Sequence, residues 1–562
     1  MRSNKYLLLY FSLLHSRPNQ IFHRLRLIIK RFLISSFASK RYKLKNSLAL
    51  DKHINLSPIL PKRIFKPRKH LTFKKDNIRY VNFLNVKKSL VFPINWHPKN
   101  TSQLWRFNLH YMEFLESLDN NEWISFAKDW IKSNKAYSKN YWMDSWSAYT
   151  VSIRVVVWMQ LFEKCKESIP NHDKKLILQS LLAQIRFLKS NLELDVGGNH
   201  ILKNVKALLW ASYFFSGEEA LTWRKMSIKI FQDILNEQIT KDGVHFELSP
   251  AYHSQVFADL LECYSILDDI SCLNILDELL PKMGQFLIDS THPDGKISLF
   301  NDSGLNMSYQ TEECLEVYES FFHKKLKQNK IIFYDSAGYY GLRSQDNFIL
   351  FDAAELAAKY LPAHGHGDAL SFEWSIRGQR VFIDPGVFEY TPGHLRDYSR
   401  STKSHNTVTL DNLDQSEFWK SFRVGRRASI IKRSIKKELD NITITASHNG
   451  YMHLSGSPEH QRKIAIESEE INIVDEIING NGQIAEARLM LSPEMKYEIV
   501  NNKFFILGND FKILVNSTNP ISITNAYCFL DFGYMHETNQ LIINFGKAPC
   551  HNKISLNVIM DK

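Results

Sequence analysis

Four short stretches of the 562-residue chain carry residue types that can move protons or hold charge, and each is framed by glycine, proline or a helix entry. In Glu193-Leu-Asp-Val-Gly-Gly-Asn199-His200, two glycines permit a tight turn and an amide and an imidazole follow, just before an apolar-periodic run. The plainer reading of Asn199 is a helix N-cap. The chemical reading is a pair of hydrogen-bond donors aimed at negative charge. Asp242-Gly-Val-His-Phe-Glu247-Leu-Ser249-Pro250-Ala-Tyr252-His253 opens another helix, where serine before proline is ordinary capping chemistry. Two histidines, Glu247 and Tyr252 are nonetheless dense for a cap. In Pro362-Ala-His364-Gly-His366-Gly-Asp368 the histidines lie two apart. If the segment opens a strand, that spacing puts both imidazoles on one face, with glycines leaving room for a ligand or metal. The fourth stretch runs from Asp384-Pro-Gly386 through Arg396 and Arg400 to Ser404-His405-Asn406-Thr407. Asp384 and His405, added to His366, make a three-ligand set of the kind zinc takes, although the spacing names no metal by itself.

Positioning these stretches falls to two kinds of element. From residue 95 to about 327 apolar residues recur at helical spacing, in runs near 105–118, 147–165, 174–191, 199–215, 221–237 and 252–267. Helix after helix, with polar residues at the joins, predicts an α/α toroid. Beyond about residue 331 the texture changes to short β-branched and aromatic runs separated by turn signals such as Arg377-Gly378 and Asn479-Gly480, which predicts an antiparallel β-sandwich. The expected fold is α+β and multidomain: a basic segment over 1–94, a toroid (an incomplete helical barrel) over 95–330 and a sandwich over 331–562.

Composition agrees. The length exceeds what one hydrophobic core usually supports. Hydrophobic residues at 44% and charged residues at 23% exclude a disordered or fibrous chain. Net charge is +12, but residues 1–75 hold 19 Lys/Arg against the single acid Asp51, so that segment is +18 and the remainder −6. Ile21, Leu25, Ile28 and Phe32 with Arg24, Arg26, Lys30 and Arg31 between them read as a basic amphipathic helix over 20–33, either a membrane-surface contact or a helix docked on the main body. Residues 56–75, with three prolines, read as an extended linker or a strap. No nucleic-acid motif accompanies the charge. The apolar run 6–14 lacks a cleavage site and is too short to span a bilayer, which leaves export open. The six cysteines have no metal-knuckle spacing and are expected as free, mostly buried thiols.

In order, the G-G-N-H turn, the E-x-S-P-x-Y-H loop, the H-x-H-x-D-x-x-S-F segment and S-H-N-T resemble the heparinase II/III-like superfamily over about residues 95–427. The resemblance implies a toroid followed by a sandwich, and a polysaccharide lyase that cleaves a uronic-acid-containing glycan by β-elimination. It implies that Asn199, with His200, contacts the uronate carboxylate. Tyr252 protonates the leaving O4, and His364 acts as base or positions substrate. His366, Asp384 and His405 would form a structural divalent-metal site, zinc first and calcium as the alternative. Arg396 and Arg400 are offered for binding substrate carboxylate or sulfate, since guanidinium recognises these bidentately. Glu247 is offered as a further substrate contact, with Tyr149, Trp146 and Arg154 lining the toroid cleft. The expected partner is an anionic polysaccharide, with a peripheral membrane contact through the basic segment and a homodimer both left open; the resemblance suggests the cell envelope or periplasm, and a cytoplasmic or membrane-peripheral location stays open because the signal for export is not clear. Two other readings compete: a non-catalytic glycan-binding or exopolysaccharide assembly factor, and a zinc-dependent hydrolase.

Overall fold

Helices predominate up to Thr311–Phe322 and strands from Ile331–Tyr334 onward, the order that periodicity and alternation predict. The structure, a computed structural model, describes residues 5–47, 54–76, 78–467 and 469–560. It packs as two compact units, one formed by Met1–His15, Gln238–Phe257 and Leu279–Lys562, the other by Ser16–Glu237 and Ala258–Glu278. The segment bearing Tyr252 therefore belongs to the unit that holds the strands.

The second unit is helical. Its helix Ala148–Cys165 is apolar almost all round and packs on Gln103–Tyr111, Asn171–Lys189 and Gly198–Phe214. A helix without a polar face is stable only when buried. Two of its helix starts are capped by side chains: Ser102 accepts from the Trp105 amide, and Asp119 from those of Asn121 and Glu122. The run read as one helix over 105–118 is two, because Met112 takes the left-handed conformation (φ 61°) and a 3₁₀ turn, Glu113–Ser117, follows. The stretch read as a linker ends in structure. Thr72–Lys75, Ile78–Phe83 and Val86–Leu90 form a three-stranded antiparallel sheet, turned at Leu84-Asn85, both with positive φ. Asparagine tolerates that conformation, and the alternation in Ile78–Phe83 was the signal available.

The first unit carries the sandwich. Antiparallel sheets of five strands (spanning 331–382), eight strands (spanning 430–560) and four strands (Val408–Leu410, Ile484–Met490, Tyr534–Lys547 and Ile521–Asp531) share one core that includes Phe372, Ile464, Ile473, Ala487 and Leu541. Inward and outward residues alternate, as in Glu470–Ile478. All six cysteines are free, and five are buried.

Candidate functional site

In the first unit, Tyr252 lies near the start of the helix Pro250–Tyr264. The capping reading of its entry holds too: Ser249 Oγ accepts from the Tyr252 amide (3.3 Å) and donates to the Asp302 carbonyl (2.9 Å). The Tyr252 ring stacks on the His364 imidazole with centroids 4.0 Å apart, and its hydroxyl meets that of Tyr390 at 2.9 Å. Glu247 is buried, with Oε2 3.4 Å from His364 Nε2.

The residue that organises this cluster is Asp302. One carboxylate oxygen meets His364 Nδ1 (2.8 Å), the other meets His366 Nε2 (2.9 Å), and Arg396 donates to both oxygens. Burial alone would raise this carboxyl, but Arg396 and the two imidazoles outweigh it and hold Asp302 well below the usual carboxylate range. The group is ionised at neutral pH. Asn301, at φ 58°, latches the same loop to the histidine segment: its Oδ1 accepts from the His366 amide (2.8 Å), while the Asp302 amide donates to the His364 carbonyl (3.1 Å). The histidine segment does not open a strand as expected, since the strand begins only at Phe372. The two imidazoles converge because both are drawn to Asp302, not because of strand alternation.

His366, Asp384 and His405 come together, with one potential ligand atom from each lying within 4.8 Å of the others, and all three are buried. His405 Nδ1 hydrogen-bonds Asp384 (2.7 Å), and Asp302 holds His366 Nε2. That leaves His366 Nδ1 and His405 Nε2 buried without a hydrogen-bond partner. Two orphaned imidazole nitrogens beside a carboxylate are what a divalent cation would satisfy. Burial lowers the His366 pKa to about 3 and lowers that of His405 as well, so both rings are neutral, the form that ligates. Burial and the nearby Glu373 push Asp384 well above its usual range, a cost that a cation would remove.

Arg396 and Arg400 were read as substrate-binding, and the structure corrects this. Both are buried; Arg396 serves Asp302 and the Ser421 carbonyl, and Arg400 donates to the carbonyls of Gly365 and Ser421. Their donors are committed to the protein because the loops they cross would otherwise bury unpaired carbonyls.

In the second unit, the helix starts at Gly198 with Gly197 as its N-cap (φ 76°), so Asn199 lies inside the first turn and is not the cap. The turn is clamped by Glu193, which accepts from Asn204 Nδ2 (3.0 Å) and meets His200 Nδ1 (3.2 Å). Asn199 is buried, while His200 is half-buried and packs against Tyr149 with centroids 4.4 Å apart. Two expectations fail here. Trp146 is a core residue whose indole donates to the Asn134 carbonyl, and Arg154 is fully buried, bonded to Gln184 and to the carbonyls of His110 and Ser145.

Comparison with known proteins places the chain in a family. Residues 71–329 match the heparinase II/III N-terminus and residues 327–556 the heparinase II/III-like C-terminal domain. The chain belongs to the heparinase II/III-like superfamily. Among curated relatives, the heparin-sulfate lyase of Bacteroides stercoris is 27% identical over 342 residues, 53% of this chain and 51% of that protein. The heparin-sulfate lyase of Bacteroides thetaiotaomicron is 25% identical over 375 residues, 56% of this chain and 53% of that protein. The chain thus matches about half the length of these relatives. Among solved structures, heparinase III superposes with a TM-score of 0.70 at 20% identity, covering 84% of this chain and 80% of that one. The heparan sulfate lyase HepC from Pedobacter heparinus gives 0.58 at 18% identity over 93% and 87%. At these identities the likeness is one of fold.

For this superfamily member, motif reading missed Asp302, Tyr390 and Arg462. Arg462, paired with Asp475 in the eight-stranded sheet, donates to the carbonyls of Leu370 and Asn406 and so fixes the segments that carry the histidines. Asp302 and Arg462 lie outside the four stretches, and Tyr390 lies within the fourth without being singled out there. An acid following Asn301 in the connection between the helices Ile270–Asp289 and Thr311–Phe322 was the one local hint.

Proposed function

We propose that this protein is a polysaccharide lyase that cleaves a uronic-acid-containing glycan by β-elimination, breaking C5–H and C4–O4 and forming the C4–C5 double bond. The observation that carries this is the stacking of Tyr252 on a His364 whose Nδ1 is held by an ionised Asp302. That bond assigns the Nδ1 proton to the Asp302 side and leaves Nε2, the nitrogen facing Glu247, to exchange a proton. His364 Nε2 takes the C5 proton, and the Tyr252 hydroxyl, hydrogen-bonded to Tyr390, delivers one to the departing O4. The family resemblance gives Asn199 and His200, on the other unit, as donors for the uronate carboxylate, a role this reading of the Tyr252–His364 cluster does not draw on. The names of the curated relatives put glycosaminoglycans first among candidate substrates.

The test is the ultraviolet absorbance of an unsaturated uronate product while the purified chain is offered heparan sulfate, hyaluronan, alginate and bacterial capsular uronans. A rise is expected on at least one glycan, falling about a hundredfold or more in Tyr252→Phe. A flat trace from folded protein across the panel would favour a glycan-binding or exopolysaccharide assembly factor.

We also assign His366 Nδ1, His405 Nε2 and Asp384 as ligands of a divalent metal, zinc first and calcium as the alternative. When bound, the ion supplies positive charge among buried acids and ties together the segments carrying the three ligands. Full burial of all three supports a structural site over a hydrolytic one, which needs an open coordination position. Elemental analysis should find about one metal per chain in the native protein and none in His405→Ala. A chelator should lower the melting temperature, and loss of activity without loss of melting temperature would contradict the structural role.

A further inference from the structure

The helix Pro18–Ser36 sits on its own unit the wrong way round for a soluble protein. Its face toward the protein carries Gln20, His23, Leu27, Lys30, Arg31 and Ile34, of which only Leu27 and Ile34 are fully buried apolar groups. The contacts there are polar: Lys30 Nζ donates to the Ser190 carbonyl (2.8 Å) and to Asn191 Oδ1 (2.9 Å), and Arg24 pairs with Asp195 (2.7 Å). On the opposite face, at helical spacing, Ile21, Phe22, Leu25, Ile28, Ile29 and Phe32 remain 41–65% exposed. Arg24 and Arg26 flank that stripe on its two sides. An amphipathic helix normally buries its apolar stripe in the fold, and a contiguous exposed one marks an interaction surface.

We propose that this face is a docking surface for an anionic lipid bilayer, on which the helix lies in the plane of the interface. Charge decides among occupants. Residues 1–75 carry +18 with one acid, a charge that includes Lys40, Arg41, Lys43 and Lys45 of the next helix, Ala38–Ser47. A second copy of the chain would bring the same charge against itself, and nucleic acid has no use for an apolar stripe. A bilayer with anionic headgroups satisfies both features, taking the Phe, Ile and Leu side chains into the acyl boundary and the cations at the headgroups. No helix among the described residues is long and apolar enough to cross the membrane, which agrees with an interfacial contact. The helix rests on residues 190–196, which lead directly into the Gly197–His200 turn, so docking would hold that turn beside the membrane. The inference does not depend on the lyase reading.

The experiment is flotation of the full chain with phosphatidylcholine vesicles, with or without phosphatidylglycerol, alongside Ile29→Ser/Phe32→Ser and Arg26→Gln variants, each verified by its circular-dichroism melt. Wild type should float with the anionic vesicles and be released by salt. The double variant should bind at least about tenfold more weakly. Arg26→Gln should lose about fivefold on anionic vesicles only, which keeps the test decisive if the double variant folds poorly. Wild type that ignores both vesicle types, or variants that float as well as wild type, would overturn the proposal. So would light scattering that shows a dimer, dissolved by the double variant, with no lipid binding.

Discussion

Asp302 matters because one carboxylate addresses three partners of different duty. It orients the His364 ring, holds the far nitrogen of His366 and neutralises the buried Arg396. Asp302→Asn keeps the shape and removes the charge, which leaves Arg396 buried without its counter-ion. Breaking a buried pair in this way costs about 3–5 kcal/mol. The expected result is a large drop in urea midpoint together with a fall in turnover; an unchanged midpoint would show that the pair is dispensable. Arg400→Lys is a milder case, because Lys supplies one compact donor group where the guanidinium now reaches carbonyls of Gly365 and Ser421.

At the scale of elements, the site depends on loops that pass very close to other backbone. Gly386, directly after the Asp384-Pro385 pair, has φ 65°, and a Cβ there would come within 2.3 Å of the Phe529 carbonyl oxygen. Neither the conformation nor the contact tolerates a side chain. Gly386→Ala should destabilise by more than about 1 kcal/mol and, by displacing Asp384, lower the metal content. Calorimetry and elemental analysis on the same preparation check both outcomes; full metal occupancy in the variant would separate Gly386 from the site. The edges of these loops are fixed from behind by Asn406, which donates to the carbonyls of Phe372 and Ile383 and accepts from the Met490 amide.

For the whole molecule, buried neutral histidines contribute to the loss of stability in acid. Burial lowers His253 to about 3 and His292 to about 4, against 6.5 when unfolded, and also holds His448 well below the usual imidazole range. Below 6.5 the unfolded chain takes up protons that the folded chain refuses, so their contribution is intact above 6.5 and is lost as pH falls toward 3–4. Each such group costs about 1.4 kcal/mol per pH unit within that window. The melting temperature should therefore be nearly flat from pH 8 to about pH 7 and fall steeply below about pH 6. Replacing His292 by Gln should soften the slope; a slope unchanged in that variant would exclude His292 as a contributor.

The sequence by itself determined the order of helices then strands and the amphipathic basic helix, and it picked out Asn199, Tyr252, His364, His366, Asp384 and His405 as candidates. Periodicity and local turn chemistry are short-range properties, and each motif is contiguous in the chain. Tertiary structure alone decided the rest. It showed that Tyr252 packs with the strand-bearing unit, that Asp302 and Tyr390 complete the cluster, and that Arg154, Arg396 and Arg400 are internal supports. It also showed that the amphipathic helix turns its apolar face outward. The physical reason is common to all of these. A side chain's duty depends on which distant carbonyl, carboxylate or ring it meets once the chain has folded, and one-dimensional spacing does not encode partners that lie tens to hundreds of residues away.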